Sequence, residues 1–164
     1  MKKWKLDKVD KSLLRDLGDF LPPSTFDIHA HVCGPDTFRP LWRMLSEGPT
    51  SLTGKDWRKA TQPLVHPAKL AGGLLIPIPA SPKLCQSANS FLVEQLHANP
   101  DCRGLMLVSP AMKPADAELI LSDPKVRGFK PYHLLIDGRE QYGAPISRFL
   151  PEWVWRLAHE RGLV

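Results

Sequence analysis

Residues 25 to 32 read Thr25-Phe26-Asp27-Ile28-His29-Ala30-His31-Val32, and the fold follows from how this octet is understood. It comes directly after Leu21-Pro22-Pro23-Ser24, where two prolines end any preceding helix. We read it as a first β-strand. The side-chain period of two in extended backbone then sends Asp27, His29 and His31 to one face and Ile28 and Ala30 to the other.

Three further runs share its character: Gly73 to Pro79, Gly104 to Ser109 and Val126 to Tyr132. Each is short, apolar and bounded by Gly or Pro, the pattern of a strand buried on both faces. Between them lie stretches of helical period. Residues 36–46 and 55–61 form the first connection. Ser81-Pro82 predicts an N-cap with proline at the first helical position, and Ala88, Leu92 and Leu96 recur at four-residue spacing until Asn99-Pro100. A third helix opens at Lys113-Pro114 and stops at Asp123-Pro124. A fourth opens at Leu150-Pro151, stacks Trp153 on Leu157 and Val154 on Ala158, and closes at Gly162.

Repeated strand–helix units joined by right-handed crossovers predict an α/β fold with a parallel sheet and helices outside it. Residues 1–24 form an N-terminal arm or short helix, and residues 25–164 the (β/α) domain. The pattern reaches Gly162-Leu163-Val164 where a fifth strand would begin. A TIM (β/α)8 barrel takes about 250 residues. Four units in 164 residues therefore correspond to the first half of such a barrel, or to a smaller open sheet.

With 43% hydrophobic residues, the chain supports one domain with a sizeable core. The net charge of +5 is scattered after the opening Met1-Lys2-Lys3-Trp4-Lys5, which does not make a nucleic-acid footprint. Cys33, Cys85 and Cys102 are odd in number and widely spaced, arguing against a disulfide framework or a zinc ribbon and for a reducing cytoplasm. No run approaches the roughly 20 apolar residues that span a bilayer. We expect no membrane and no nucleic-acid partner.

The chemistry converges on His29 and His31. Neutral imidazoles on one face of a strand offer two nitrogen lone pairs to a borderline ion such as zinc. By itself His-x-His also describes two solvated histidines at a strand end. Its place at the carboxyl end of a first strand, where α/β folds gather active-site groups, favours a metal.

An Asp-x-His-x-His strand followed by successive βα units resembles the amidohydrolase superfamily, in particular its amidohydrolase-related branch of hydrolases and decarboxylases. The resemblance covers residues 25–164. It implies that His29 and His31 are metal ligands and that the ion, most simply zinc, acts on a small-molecule amide, lactone or carboxylated substrate. The segment Val126-Arg127-Gly128-Phe129-Lys130-Pro131-Tyr132-His133 resembles the fourth strand of these barrels. Some branches carry a carboxylated, metal-bridging lysine there. Lys130 is therefore an active-site candidate, either as a charged catalytic group or as a lysine whose stem packs while its ammonium reaches solvent.

Cys33 reads as a small packed thiol, His66 and His97 as surface or capping residues, and one of Trp153 and Trp155 as facing the sheet. The resemblance places the family's remaining ligands and its general base beyond a fourth unit. We therefore expect weak metal affinity and little turnover from these residues alone. Open sheet edges invite strand addition, so a homo-oligomer is a further expectation. The rival reading is a non-catalytic α/β binding module in which both histidines are structural.

Overall fold

A computed structural model describes residues 6–35, 51–78, 81–136 and 143–164. The expected helix at 36–46 lies outside the described residues.

The arm is helical. Helix α1 (Lys8–Phe20) starts at a reciprocal cap, with the Asp7 carboxylate accepting the Asp10 N–H at 2.8 Å and the Asp10 carboxylate accepting the Asp7 N–H at 2.9 Å. It buries none of its residues, and Val9, Leu13, Leu17 and Phe20 stay exposed.

Strands β1 (Ser24–Val32), β2 (Lys69–Pro77), β3 (Arg103–Val108) and β4 (Val126–Pro131) form one parallel sheet in the order β1-β2-β3-β4. Helices α2 (Gly54–Thr61), α3 (Cys85–Ala98), α4 (Pro114–Leu121), α5 (Ile146–Phe149) and α6 (Glu152–Arg161) occupy the connections and the C-terminal segment. A sheet whose strands follow chain order, with every crossover of one hand, collects its helices on one face. The main core shows this layering. Ala30, Val32, Leu75, Met106, Val108 and Phe129 from the strands meet Trp57 of α2, Leu92 and Leu96 of α3, Ala117 of α4, and Val154 and Leu157 of α6.

Strand β2 begins four residues before the expected Gly73, because Lys69 to Gly72 pair along the start of β1. Ser81 also departs from expectation. Its side chain makes no cap bond, and a 3-10 turn over Pro82–Leu84 precedes α3, with the Ser81 carbonyl accepting the Leu84 N–H at 3.1 Å. At the far end, α6 stops at Gly162 in the left-handed conformation, as expected.

The sheet is not uniformly zipped. Pairing of β2 with β3 covers Leu74↔Arg103 and Leu75↔Gly104. Higher up, Asn89 of α3 takes the place of a strand. Its amide donates to the Leu107 carbonyl at 2.9 Å and accepts the Leu107 N–H at 2.7 Å. Asn89 is completely buried, and this two-way bond satisfies both its polar groups. Pro77, which has no N–H to offer, sits in β2 beyond the last β2–β3 pair.

Both outer strands carry one further backbone partner. Cys33, just past β1, exchanges two bonds with Leu52 at 2.9 and 2.8 Å. On β4, Val164 donates to the Arg127 carbonyl at 3.0 Å and accepts the Phe129 N–H at 2.8 Å. That alternation flanks Gly128 in the manner of a parallel strand.

Candidate metal centre

His29 and His31 meet. Their Nε2 atoms are 3.2 Å apart and their rings lie nearly edge to face, with centroids 4.9 Å apart. Ala30 and Val32 are buried in the helix-side core, so the intervening His31 projects from the opposite face of β1.

Asp27 does not join them, which corrects the simple period-two expectation. Between the pairs Asp27↔Gly73 and Ala30↔Leu75, β1 uses three steps against two on β2, so one extra residue bulges out of the ladder. The bulge shifts the alternation by one. Asp27 consequently turns to the helix side, where its carboxylate accepts the Trp57 indole N–H at 2.8 Å and the His29 backbone N–H at 3.0 Å. Gly73 permits this contact, since a Cβ there would lie 2.5 Å from the Trp57 ring. Asp27 thus acts as an anchor that fixes the bulge on the helix side, while the period of two keeps His29 and His31 on the opposite face.

The tautomer of His31 follows from its other nitrogen. Nδ1 lies 3.2 Å from the Ile76 carbonyl oxygen, which can only accept, so Nδ1 carries the proton and Nε2 keeps its lone pair. Orienting a ligand imidazole through its remote N–H is the usual outer-shell arrangement at metal sites. Burial lowers the His31 pKa; the Ile76 bond and the Asp27 carboxylate oppose that shift, while His29 and Lys130 add to it. The ring is neutral at pH 7 and competent to donate.

Two nitrogens bound at 2.0 to 2.1 Å to a tetrahedral ion sit about 3.3 Å apart. The observed 3.2 Å between the Nε2 atoms fits that separation. Among the described residues no third His, Cys, Asp or Glu completes an ion-binding group with them.

Lys130 shares their face, because its neighbour Phe129 is buried on the helix side against Trp153. Its ammonium stands 5.4 Å from the centroid of the Tyr132 ring and is near enough to act on His31 electrostatically. Burial pushes the Tyr132 phenol up to about 12, leaving a neutral ring whose face attracts the cation. The surface histidines fall elsewhere: His66 is exposed and His97 pairs with Asp123 at 2.6 Å beyond the end of α3. Cys33 is packed away and burial raises its thiol pKa. A cleft of about 750 Å³ lined by Lys11, Arg15, Asp19 and His66 includes neither histidine of the pair.

Trp57 and the Ile76 carbonyl are the participants that no motif announces. Trp57 belongs to no sequence motif, and a backbone carbonyl has no residue signature at all. The sequence matches no protein-family model, and the chain matches no curated protein and no solved structure.

Proposed function

We propose that this chain carries the metal-binding half of a metal-dependent hydrolase of the amidohydrolase-related kind, built on the first half of a (β/α)8 barrel. The observation that carries the reading is the convergence of the His29 and His31 Nε2 atoms at tetrahedral ligand spacing, with His31 held through Nδ1 by Ile76. In-order parallel strands with helices on one face are the arrangement that closes into a barrel.

His29 and His31 would hold the ion. A divalent ion held there supplies Lewis acidity that polarises a carbonyl or carboxylate oxygen of the substrate. Lys130 lies on the same face with its charge directed by the Tyr132 ring. It is suited to bind a substrate carboxylate or to stabilise negative charge as it develops on an oxygen. The substrate class is a small amide, lactone or carboxylated molecule. Decarboxylation of a carboxylated ring is the second reading, favoured by the cationic Lys130 beside the pair.

Zinc titration by calorimetry tests the reading. Binding that disappears in His29→Ala and in His31→Ala supports it, and zinc uptake indifferent to both substitutions returns the pair to a structural role.

A further inference from the structure

Strand β1 is the first strand of the sheet order, so the histidine pair lies at the margin of the sheet. His29 is exposed and His31 half-buried. Beside them on the same strand, Ile28 is 76% exposed and Phe26 45% exposed. Large apolar side chains flanking a polar pair on an open strand are the composition of a contact surface.

Among the described residues no third His, Cys, Asp or Glu joins the two imidazoles, so an ion between their Nε2 atoms takes its remaining ligands from outside that set. The Lys130 charge acts on the same site and opposes a cation. One pair of neutral imidazoles in that field is a weak zinc site, and four neutral imidazoles make a complete tetrahedral one.

We propose that a single zinc ion bridges two copies of this chain, each supplying His29 and His31 about a twofold axis through the ion. This rests on the metal-binding reading above. The contact is isologous: the same patch meets itself, the two pairs fill the four corners, and Phe26 and Ile28 of both copies are buried around the ion. A zinc ion with four histidine ligands has no open position. The bridged dimer is therefore the closed form of the site, and a substrate oxygen reaches the ion only when one pair lets go. The zinc-to-chain ratio sets the balance, because half an equivalent favours the bridge and an excess favours one ion on each chain.

The test titrates zinc into the chelator-stripped 164-residue chain, reading stoichiometry by calorimetry and mass by light scattering. The expected result is an inflection near half an ion per chain, with the mass rising from 18.4 kDa to twice that value and returning on addition of chelator. His29→Ala, at an exposed position, should abolish both changes. Ile28→Lys should keep zinc uptake but move its inflection to one ion per chain, without the doubling of mass. Uptake of one ion per chain by a wild-type monomer throughout would overturn the bridge and leave the metal reading intact. A dimer that persists in chelator would also overturn the bridge. Zinc uptake unaffected by His29→Ala would remove both readings.

Discussion

The Trp57 indole donates to the Asp27 carboxylate across 2.8 Å, and this bond holds the bulge that turns Asp27 away from the face of His29 and His31. The same carboxylate receives the His29 backbone N–H. Asp27→Ala removes both acceptors at once. Leaving a partly buried donor unpaired costs about 1–3 kcal/mol, so chemical denaturation should show a loss in that range. Because the bulge loses its anchor, zinc affinity should fall roughly tenfold as well, the scale seen for outer-shell partners. Asp27→Asn, which retains an acceptor for the indole, should recover most of both. Wild-type zinc affinity in Asp27→Ala would show that the bulge stands without the bond.

The tautomers of the two histidines should differ, and only one should change with metal. Ile76 fixes the His31 proton on Nδ1, so in metal-free protein the short contact between rings requires His29 to donate from Nε2. A metal on both Nε2 atoms requires that proton to move to His29 Nδ1. Long-range nitrogen–proton correlation on histidine-labelled protein should show His29 switching from Nε2–H to Nδ1–H on zinc addition, with His31 constant. A His31 signal of the Nε2–H type in the metal-free protein would disprove the anchoring role of Ile76.

What could be read in the sequence, and what could not, divides along physical lines. Four parallel strands and the helices at 55–61, 81–99, 113–123 and 150–162 are visible because burial imposes periodicity and because proline and glycine end elements by sterics. The His29 and His31 pair is visible because it sits on one strand two residues apart. The face of Asp27 is not, since a single-residue bulge comes from the strand partner and from the seat that Gly73 makes for Trp57. Ile76 is invisible for a different reason: it contributes only a backbone carbonyl. Asn89 reads as one polar residue on an amphipathic helix, and nothing local announces that it replaces a strand.

Asn89 accordingly makes a sharp stability prediction. Truncation to Ala would leave the Leu107 N–H and carbonyl buried without their partners. Two such groups at about 1–3 kcal/mol each place the expected loss at roughly 2–6 kcal/mol, much above a surface substitution. Asn89→Leu adds apolar volume but restores neither bond, so it should be no better. Urea denaturation of both variants decides the matter, and a loss below about 1 kcal/mol would mean that β3 finds another partner.

Stability should decline on the alkaline side. Burial pushes the Cys85 thiol from 9.0 to about 11 and the Tyr132 phenol from 10.0 to about 12, and raises Cys33 and Cys102 in the same direction. The folded state thus keeps protons that the unfolded chain has released. Unfolding releases protons in this window, so stability falls as pH rises from about 9 to about 12 and is insensitive to these groups below. Cys85 alone accounts for an effect on the order of 2 kcal/mol. Denaturation midpoints should be flat from pH 7 to 8.5 and drop at pH 10 to 11, with a smaller drop in Cys85→Ala.

Gly128 faces the tightest approach of any described glycine. A Cβ at this position would collide with the Val164 carbonyl oxygen, the atom that accepts the Phe129 N–H. Backbone cannot yield as a flexible side chain does, so Gly128→Ala has to displace Val164 from β4. Both bonds that flank Gly128 should then open. Hydrogen exchange should accelerate at the Phe129 and Val164 amides while Met106 and Val108, one strand inward and buried, keep their protection. The accompanying loss should be about 1–3 kcal/mol, the range for forced overpacking. Unchanged exchange at Phe129 would mean that the strand-like pairing of Val164 with β4 does not persist in solution.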